Sequence, residues 1–408
     1  MLVNKNIVLG ITGCIAAYKA VDLASQLVKA GANVDIIMTE AATRFVAPLS
    51  FQALTHRPVV TDMFRLIEHA PGDANIGHVS LATSADLVAV VPATANTIAK
   101  MAHGFADNML TTTILATSAP VLVAPAMDAN MYSAPATQEN LQRLRERGVV
   151  IVEPEYGRLA SGLAGQGRLA NISTILDNIT AMLGRNGDLA GRRVVVTAGG
   201  TQEPIDPVRF IGNRSSGKMG FALAEAARDR GAIVTLISGP VALRRPGCIE
   251  FVPVETAVQM RDAVRSAIAQ ADVLVMAAAV ADFRAAQPAE QKIKKRESGA
   301  LTVELVRNPD ILGELKDVRC IKVGFAAESE NLIANAAEKL AGKHLHMIVA
   351  NDITAAESGF GSDTNRVMLL CADGTRTDLP AMPKREVAER ILDHVVGLIA
   401  DQNQPRRT

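Results

Sequence analysis

An α/β protein of two domains, each built on a mainly parallel sheet, is the fold class this 408-residue sequence predicts, on three observations. Short apolar runs alternate with amphipathic helical stretches along the chain, the pattern of strand–helix–strand units. A glycine-containing turn follows the opening strand at Gly10-Ile-Thr-Gly13, and another follows a strand in mid-chain at Thr197-Ala-Gly-Gly200. Between them, residues 184–191 are glycine-rich and polar, and beyond them the alternation starts afresh. The boundary falls there, giving domains 1–187 and 188–408.

Each element has its reason. In the first domain the apolar runs 6–12, 33–38, 86–91, 120–124 and 149–152 read as buried parallel strands, with a helix from the first turn to residue 30. In the second, the strands are 193–197, 233–238, 272–278, 321–325 and 347–350, and 217–231 is helical. Residues 366–379 carry an Asp373-Gly374 turn between two short apolar runs and predict a hairpin, followed by an amphipathic helix from Lys384.

Composition narrows the function. With 49% hydrophobic residues and 42 basic against 42 acidic side chains, the chain has material for two cores and no charge excess that would favour nucleic acid. The longest apolar runs, 87–92 and 273–281, are strand-sized and short of the roughly 18 residues of a membrane span. The opening apolar stretch is a strand running into a glycine turn rather than a secretory signal. Cys14, Cys248, Cys320 and Cys371 lie far apart without CxxC pairs, against a disulfide framework or zinc site. A cytoplasmic protein without nucleic-acid or membrane partners is expected.

Two loops of the first domain follow buried strands: Gly10-Ile-Thr-Gly13-Cys-Ile-Ala-Ala-Tyr-Lys19 and Pro92-Ala-Thr-Ala-Asn-Thr-Ile-Ala-Lys100, the second succeeded by Gly104-Phe-Ala-Asp-Asn-Met109. Small hydroxyl and amide residues at the carboxyl ends of parallel strands bracket a crevice, where open α/β sheets bind ligands. Neither loop has the GxGxxG spacing of a dinucleotide site, so a nicotinamide-dependent oxidoreductase is the weakest reading.

These segments, with Pro125-Ala-Met-Asp-Ala-Asn-Met-Tyr132, resemble the flavin-containing cysteine decarboxylases, the phosphopantothenoylcysteine decarboxylases in particular, over residues 5–182. The resemblance implies a flavodoxin-like, Rossmann-like domain that binds FMN between subunits of a trimer, commonly assembled into a dodecamer. It places FMN at Thr12, Gly13, Ile15, Ala16, Thr39, Thr94, Asn96 and Asn108, substrate at Asp128, Asn130 and Met131, and the active-site histidine at His78, just before a helix. It further implies oxidation of the substrate's thiol-bearing carbon to a thioaldehyde, loss of carbon dioxide and return of the hydride. Two positions depart from the family pattern. Asp128 stands where the family has asparagine, and an ionised carboxylate repels a substrate carboxylate that an amide would bind. Ser161, in the glycine-rich flap 157–167, stands where the family's lid carries a proton-donating cysteine.

In the second domain, Ile211-Gly-Asn-Arg-Ser-Ser-Gly-Lys218 approaches P-loop spacing, but Met219 offers no hydroxyl to a magnesium ion, which argues against an ordinary P-loop ATPase. Met276-Ala-Ala-Ala-Val-Ala-Asp282 ends a strand with small residues and one carboxylate, and the cationic run Lys292-Ile-Lys-Lys-Arg296 follows. Asn308-Pro-Asp-Ile311, Gly324-Phe-Ala-Ala-Glu328 and the pair Lys339 and Lys343, four apart on a predicted helix, complete the set.

These segments are similar to phosphopantothenate–cysteine ligases over residues 190–400. The resemblance implies a second Rossmann-like domain using CTP and Mg2+: the 4′-phosphopantothenate carboxylate attacks the α-phosphate, and the amine of L-cysteine displaces CMP from the acyl-cytidylate. It assigns Asn213 and Lys292 to catalysis, and Met276, Ala277, Ala278, Asp282, Lys292, Asn308, Pro309, Asp310, Ile311, Phe325, Lys339 and Lys343 to CTP. Metal ligands stay unassigned. The ligase product would be the decarboxylase substrate, so one homo-oligomeric chain is expected to run both steps of coenzyme A biosynthesis. The alternatives are a working ligase beside a flavin domain impaired at Asp128 and Ser161, and a flavin domain acting as a binding or regulatory scaffold.

Overall fold

The structure, a computed structural model, describes residues 2–64, 76–294, 301–328, 332–352 and 361–403. The chain divides into two compact units, Met1–Leu183 and Gly184–Thr408.

Unit one runs β1 (Asn6–Ile11), α1 (Ala17–Lys29), β2 (Asn33–Met38), α2 (Glu40–Thr43), α3 (Pro48–Thr55), β3 (Val59–Val60), α4 (Gly77–Ser84), β4 (Leu87–Ala93), α5 (Ala95–His103), α6 (Met109–Ala116), β5 (Val121–Pro125), α7 (Ala129–Ser133), α8 (Pro135–Glu146), β6 (Val150–Ile151), the hairpin β7 (Glu155–Arg158) and β8 (Ala164–Arg168), and α9 (Ile172–Gly184). Its six-stranded sheet is parallel throughout, in the order β3-β2-β1-β4-β5-β6. Strand side chains alternate between faces, so each strand feeds two cores. Ile7, Leu9 and Ile11 of β1 pack with Ala20, Leu23 and Leu27 of α1 and with Ile175 and Ile179 of α9. Val8 faces the other way, with Leu81, Ile98, Leu110 and Leu141. Burial on both faces is why these strands read as unbroken apolar runs.

Unit two runs β9 (Arg193–Ala198), β10 (Gln202–Pro204), β11 (Phe210–Gly212), α10 (Lys218–Asp229), β12 (Ile233–Ser238), β13 (Glu250–Pro253), α11 (Ala257–Ile268), β14 (Val273–Met276), β15 (Phe283–Ala285), β16 (Leu305–Arg307), α12 (Ile311–Glu314), β17 (Ile321–Glu328), α13 (Leu332–Gly342), β18 (Met347–Asp352), β19 (Thr364–Cys371), β20 (Arg376–Pro383) and α14 (Lys384–Asn403). The eight-stranded sheet has the order β13-β12-β9-β14-β17-β18-β19-β20, parallel as far as β18 and antiparallel beyond. Val194 and Val196 of β9 join Phe221 of α10 and Ile391 of α14 on one face, while Val195 joins Met260 and Leu274 on the other.

Several elements differ from expectation. The mid-chain loop is no single turn: β10 and β11 form an antiparallel hairpin inside it, bent at Asp206. The glycine-rich flap is the hairpin β7–β8. His78 lies within the first turn of α4 rather than before it. Lys343 falls one residue beyond α13, but its N–H still donates to the Lys339 carbonyl (3.1 Å), so the two remain one helical turn apart. Lys295 and Arg296 of the cationic run lie outside the described residues.

Candidate active sites

In both sheets the strand order reverses between two neighbours, β1 and β4 in unit one, β9 and β14 in unit two, and ligands of open α/β sheets bind outside the carboxyl ends at such points. A buried threonine bridges each reversal. Thr12 Oγ1 donates to the Pro92 carbonyl (2.7 Å) and accepts from the Thr94 N–H (3.0 Å), tying the loops after β1 and β4 together. Thr197 Oγ1 accepts from the Ala278 N–H (3.1 Å), and Thr201 Oγ1 from the Ala281 N–H (3.0 Å). The sequence reading singled out Thr12 and missed Thr197 and Thr201, whose partners lie about 80 residues away.

In unit one the expected groups lie on the loops that follow β1, β2, β4 and β5, with Asn108 on the loop between α5 and α6. Gly13 is required by close approach, since a Cβ there would come within 2.4 Å of the Ala41 Cβ. Ile15 is exposed beside it and Ala16 precedes α1. Thr39, Thr94 and Asn108 cap α2, α5 and α6, each side chain accepting from a main-chain N–H three residues on. Asn96 is exposed in the first turn of α5. Cys14 Sγ donates to the Ala126 carbonyl (3.4 Å), and burial raises its pKa, as fits a packing thiol. His78 is half-buried, and among the described residues no hydrogen bond joins it to these loops.

The two departures from the family pattern meet each other. Asp128 caps α7, accepting from the Asn130 N–H (3.1 Å), and its other oxygen accepts from the Ser161 hydroxyl at 2.7 Å. The Ser161 bond, then the Asn130 N–H, hold the Asp128 carboxyl below the usual range, so it is ionised at neutral pH. The hairpin β7–β8 is thereby fastened over the segment 125–131, where Met127 N–H also donates to the Gly167 carbonyl (3.0 Å). Met131 and Asn130 are exposed beside it.

Unit two holds a crevice of about 970 Å³. Its walls are the loop after β11, the loop after β14, the segment 307–312, Phe325 on β17, and Lys339 and Lys343. It thus collects Asn213, Met276, Ala277, Ala278, Asp282, Asn308, Pro309, Asp310, Ile311, Phe325, Lys339 and Lys343, and not Lys292. Asn213 Nδ2 donates to the Val280 carbonyl (3.0 Å). Asn308 is fixed at three atoms: its N–H donates to Asp282 O (2.8 Å), Nδ2 donates to Ala281 O (2.8 Å), and Oδ1 accepts from Arg284 (3.0 Å). Burial pushes the Asp310 carboxyl up, but the Lys343 ammonium at 3.0 Å and the Gly313 N–H outweigh it, and the net shift is downward.

At the crevice's other end Gly217, at φ 74°, turns the chain into α10, and Lys218 donates to Gly361 O (2.8 Å) and Asp363 (2.6 Å). Lys384 donates to the carbonyls of Ser362 and Thr364, so two ammonium groups grip one turn. Burial first, then the neighbouring Lys218 charge, lowers the Lys384 pKa.

Lys292 is exposed, and its neighbour Ile293 is anchored by Asp206. The buried Asp206 carboxylate accepts from the N–H groups of Val208 and Arg209 (2.8 Å each), from the Arg209 guanidinium (2.6 Å) and from the Ile293 N–H (3.1 Å). Its pKa is driven far below the carboxylate range, chiefly by Arg209. Sequence reasoning missed this residue; the Asp206-Pro207 dipeptide is the turn signal that marks it. Among the described residues no cluster of three or more His, Cys, Asp or Glu could hold a metal, and no helix is long and apolar enough to cross a membrane.

The family described as Flavoprotein matches residues 1–184, and the family described as DNA/pantothenate metabolism flavoprotein C-terminal domain matches residues 189–398. The coenzyme A biosynthesis bifunctional protein CoaBC of Bacillus subtilis is 49% identical over 403 residues, 98% of either chain. That of Escherichia coli is 45% identical over 408 residues, 99% of either chain, and that of Mycobacterium tuberculosis 46% identical over 98% of either. A solved C-terminal domain of such a protein is 40% identical, covering 53% of this chain and 99% of that one, with a TM-score of 0.46. Fold and family matches define a flavoprotein unit joined to a second α/β unit of pantothenate metabolism. The chain belongs to the family of coenzyme A biosynthesis bifunctional proteins. It is a two-activity enzyme of coenzyme A biosynthesis, a decarboxylase and a ligase.

Proposed function

We propose that residues 188–408 join L-cysteine to 4′-phosphopantothenate at the expense of CTP, and that residues 1–187 decarboxylate the product with FMN to 4′-phosphopantetheine, in a cytoplasmic homo-oligomer built from trimers. The observation that carries the ligase half is the single crevice on which the assigned residues, Lys292 apart, converge.

A carboxylate is a poor electrophile and must first be activated. Its oxygen attacks the α-phosphorus of CTP and pyrophosphate leaves; the cysteine amine then attacks the acyl carbon, CMP leaves with the former carboxylate oxygen, and the amine's proton passes to solvent. Asn213 holds the acyl-cytidylate, Lys292 neutralises charge that builds on the phosphates, and Asp282 contacts the cytidine. Met276, Ala277 and Ala278 let the nucleotide approach the backbone, Asn308 to Ile311 and Phe325 shape the base pocket, and Lys339 and Lys343 face the phosphates. Magnesium ordinarily keeps several waters and binds through substrate phosphates with one or two carboxylates, a mode that needs no protein cage.

The loops of unit one fit an amphipathic cofactor: they carry the hydroxyl and amide side chains of Thr39, Thr94, Asn96 and Asn108 and the exposed apolar Ile15, with Thr12 tying two of them together. When bound, FMN supplies the hydride acceptor and donor. Asn130 and Met131 face substrate, and His78 takes and returns a proton of the substrate's thiol or carboxyl group. Ser161, bonded to Asp128, is the hydroxyl nearest the role of the family's lid cysteine.

Purified chain given phosphopantothenate, cysteine, CTP and magnesium should release pyrophosphate and then carbon dioxide, and should carry a flavin absorption band. Absence of pyrophosphate sinks the ligase half; pyrophosphate without carbon dioxide sinks the decarboxylase half.

A further inference from the structure

Lys322 is the second residue of β17, in the floor of the unit-two sheet, and only 2% of its surface is exposed. A buried ammonium is retained only where strong hydrogen bonds replace water. Here the acceptors are two main-chain carbonyls: Nζ donates to Leu315 O (3.0 Å) and to Lys316 O (2.6 Å). Leu315 caps the carboxyl end of α12, where carbonyls have no partner within the helix.

The opposite end of that turn is the crevice wall. Residues 308–312 line the crevice, and they are held from above by the bond from Asn308 to the Ala281 carbonyl in the loop after β14 and by the Lys343–Asp310 pair. From below, Lys322 pins the exit of α12 to β17, two residues before Gly324, which also lines the crevice. Leu312 reinforces the attachment: both it and Leu345 would lie within 4 Å of a Cβ added at Gly324. Lys322 itself is not part of the crevice wall.

We propose that Lys322 is a positioning residue of the ligase: by tying the end of α12 to the sheet it fixes the wall 308–312 and so sets affinity for the nucleotide without touching it. The inference rests on the assignment of that wall to CTP. A residue that merely stabilised the fold would, when replaced, lower the folded fraction and leave the substrate constants of the remainder alike.

The test is initial-rate pyrophosphate release by the full chain, with CTP, phosphopantothenate and cysteine varied in turn, for the parent, K322M and K322R. K322M takes the Nζ donor from both carbonyls, leaving Leu315 O the Val318 N–H alone, and should raise KM for CTP about tenfold, the scale of one lost charge-assisted bond, with kcat and the other two KM values within about twofold. K322R, which keeps donors within reach, should recover most of the loss. Amide exchange at Gly313 and Leu315 in the nucleotide-free chain should quicken in K322M. If K322M is recovered folded and its KM for CTP equals the parent's, or if all three KM values rise together, the inference is overturned. Should K322M not fold, K322Q, which retains one donor, decides by the same criteria with an expected rise of about threefold. A parent chain that releases no pyrophosphate with CTP overturns the nucleotide assignment as well, an outcome distinct from an active parent whose Lys322 variants behave like it.

Discussion

Asp206 ties together two loops of unit two: one buried carboxylate closes the hairpin turn, holds Arg209 and anchors Ile293 beside Lys292. Because its folded pKa lies far below the unfolded value, its contribution is fully present above about pH 4 and is lost as the pH falls through the folded pKa. D206N should therefore lower the Tm of the ligase unit at pH 7, and the difference from the parent should shrink as the pH is taken towards 2; an equal difference at both pH values would refute this. The Asp128–Ser161 contact makes a second prediction. D128N removes a negative charge beside the proposed substrate carboxylate and should lower KM for phosphopantothenoylcysteine about tenfold. S161C places a thiol beside an ionised Asp128, which keeps that thiol protonated and able to donate; carbon dioxide release should quicken severalfold, measured under saturating substrate.

Helix α1 shows how an element is committed by its pattern. Ala17, Ala20, Leu23, Ala24 and Leu27 fall at three- and four-residue spacings and are all fully buried against β1. Leu27→Ala should destabilise unit one by about 2–5 kcal/mol, read from the urea midpoint of its unfolding transition, while the transition of unit two stays in place. The strands buried on both faces were legible from composition as well: β1, β4 and β9 have six or seven residues, and four-residue β14 opens the longer apolar run 273–281. The strands that went unread, β3, β10, β11, β13, β15 and β16, have two to four residues, too few to display a period, and β16 is exposed along its length; β6, of two residues, was legible within the apolar run 149–152. The lid hairpin β7–β8 alternates exposed and covered positions but is rich in glycine, so it read as a loop.

Each unit has cores of its own, drawn in unit one from residues 2–179 and in unit two from residues 189–395. Expressed as 1–187 and 188–408, both portions should fold cooperatively, and the carboxyl-terminal portion should still release pyrophosphate; failure of either to show a thermal transition would place the boundary elsewhere. Much of the lining of the unit-two crevice was visible in the sequence because it is built from loops at strand ends, where small, hydroxyl and amide residues stand out against apolar runs. Thr197, Thr201, Asp206, Arg284 and Lys322 were not, since each is an ordinary polar residue until its partner is known.

The amino-acid sequence alone determined the α/β alternation, a break within the glycine-rich stretch 184–191 and most of the segments that line the unit-two crevice, because hydrophobic periodicity and turn chemistry are read over a few neighbours. Only the tertiary structure decided the strand order that puts a reversal beside each site, the meeting of Asp128 with Ser161 and the grip of Lys322 on α12. Those depend on which distant segments pair across the sheet, and pairing between segments follows from the packing of the whole unit rather than from any local pattern.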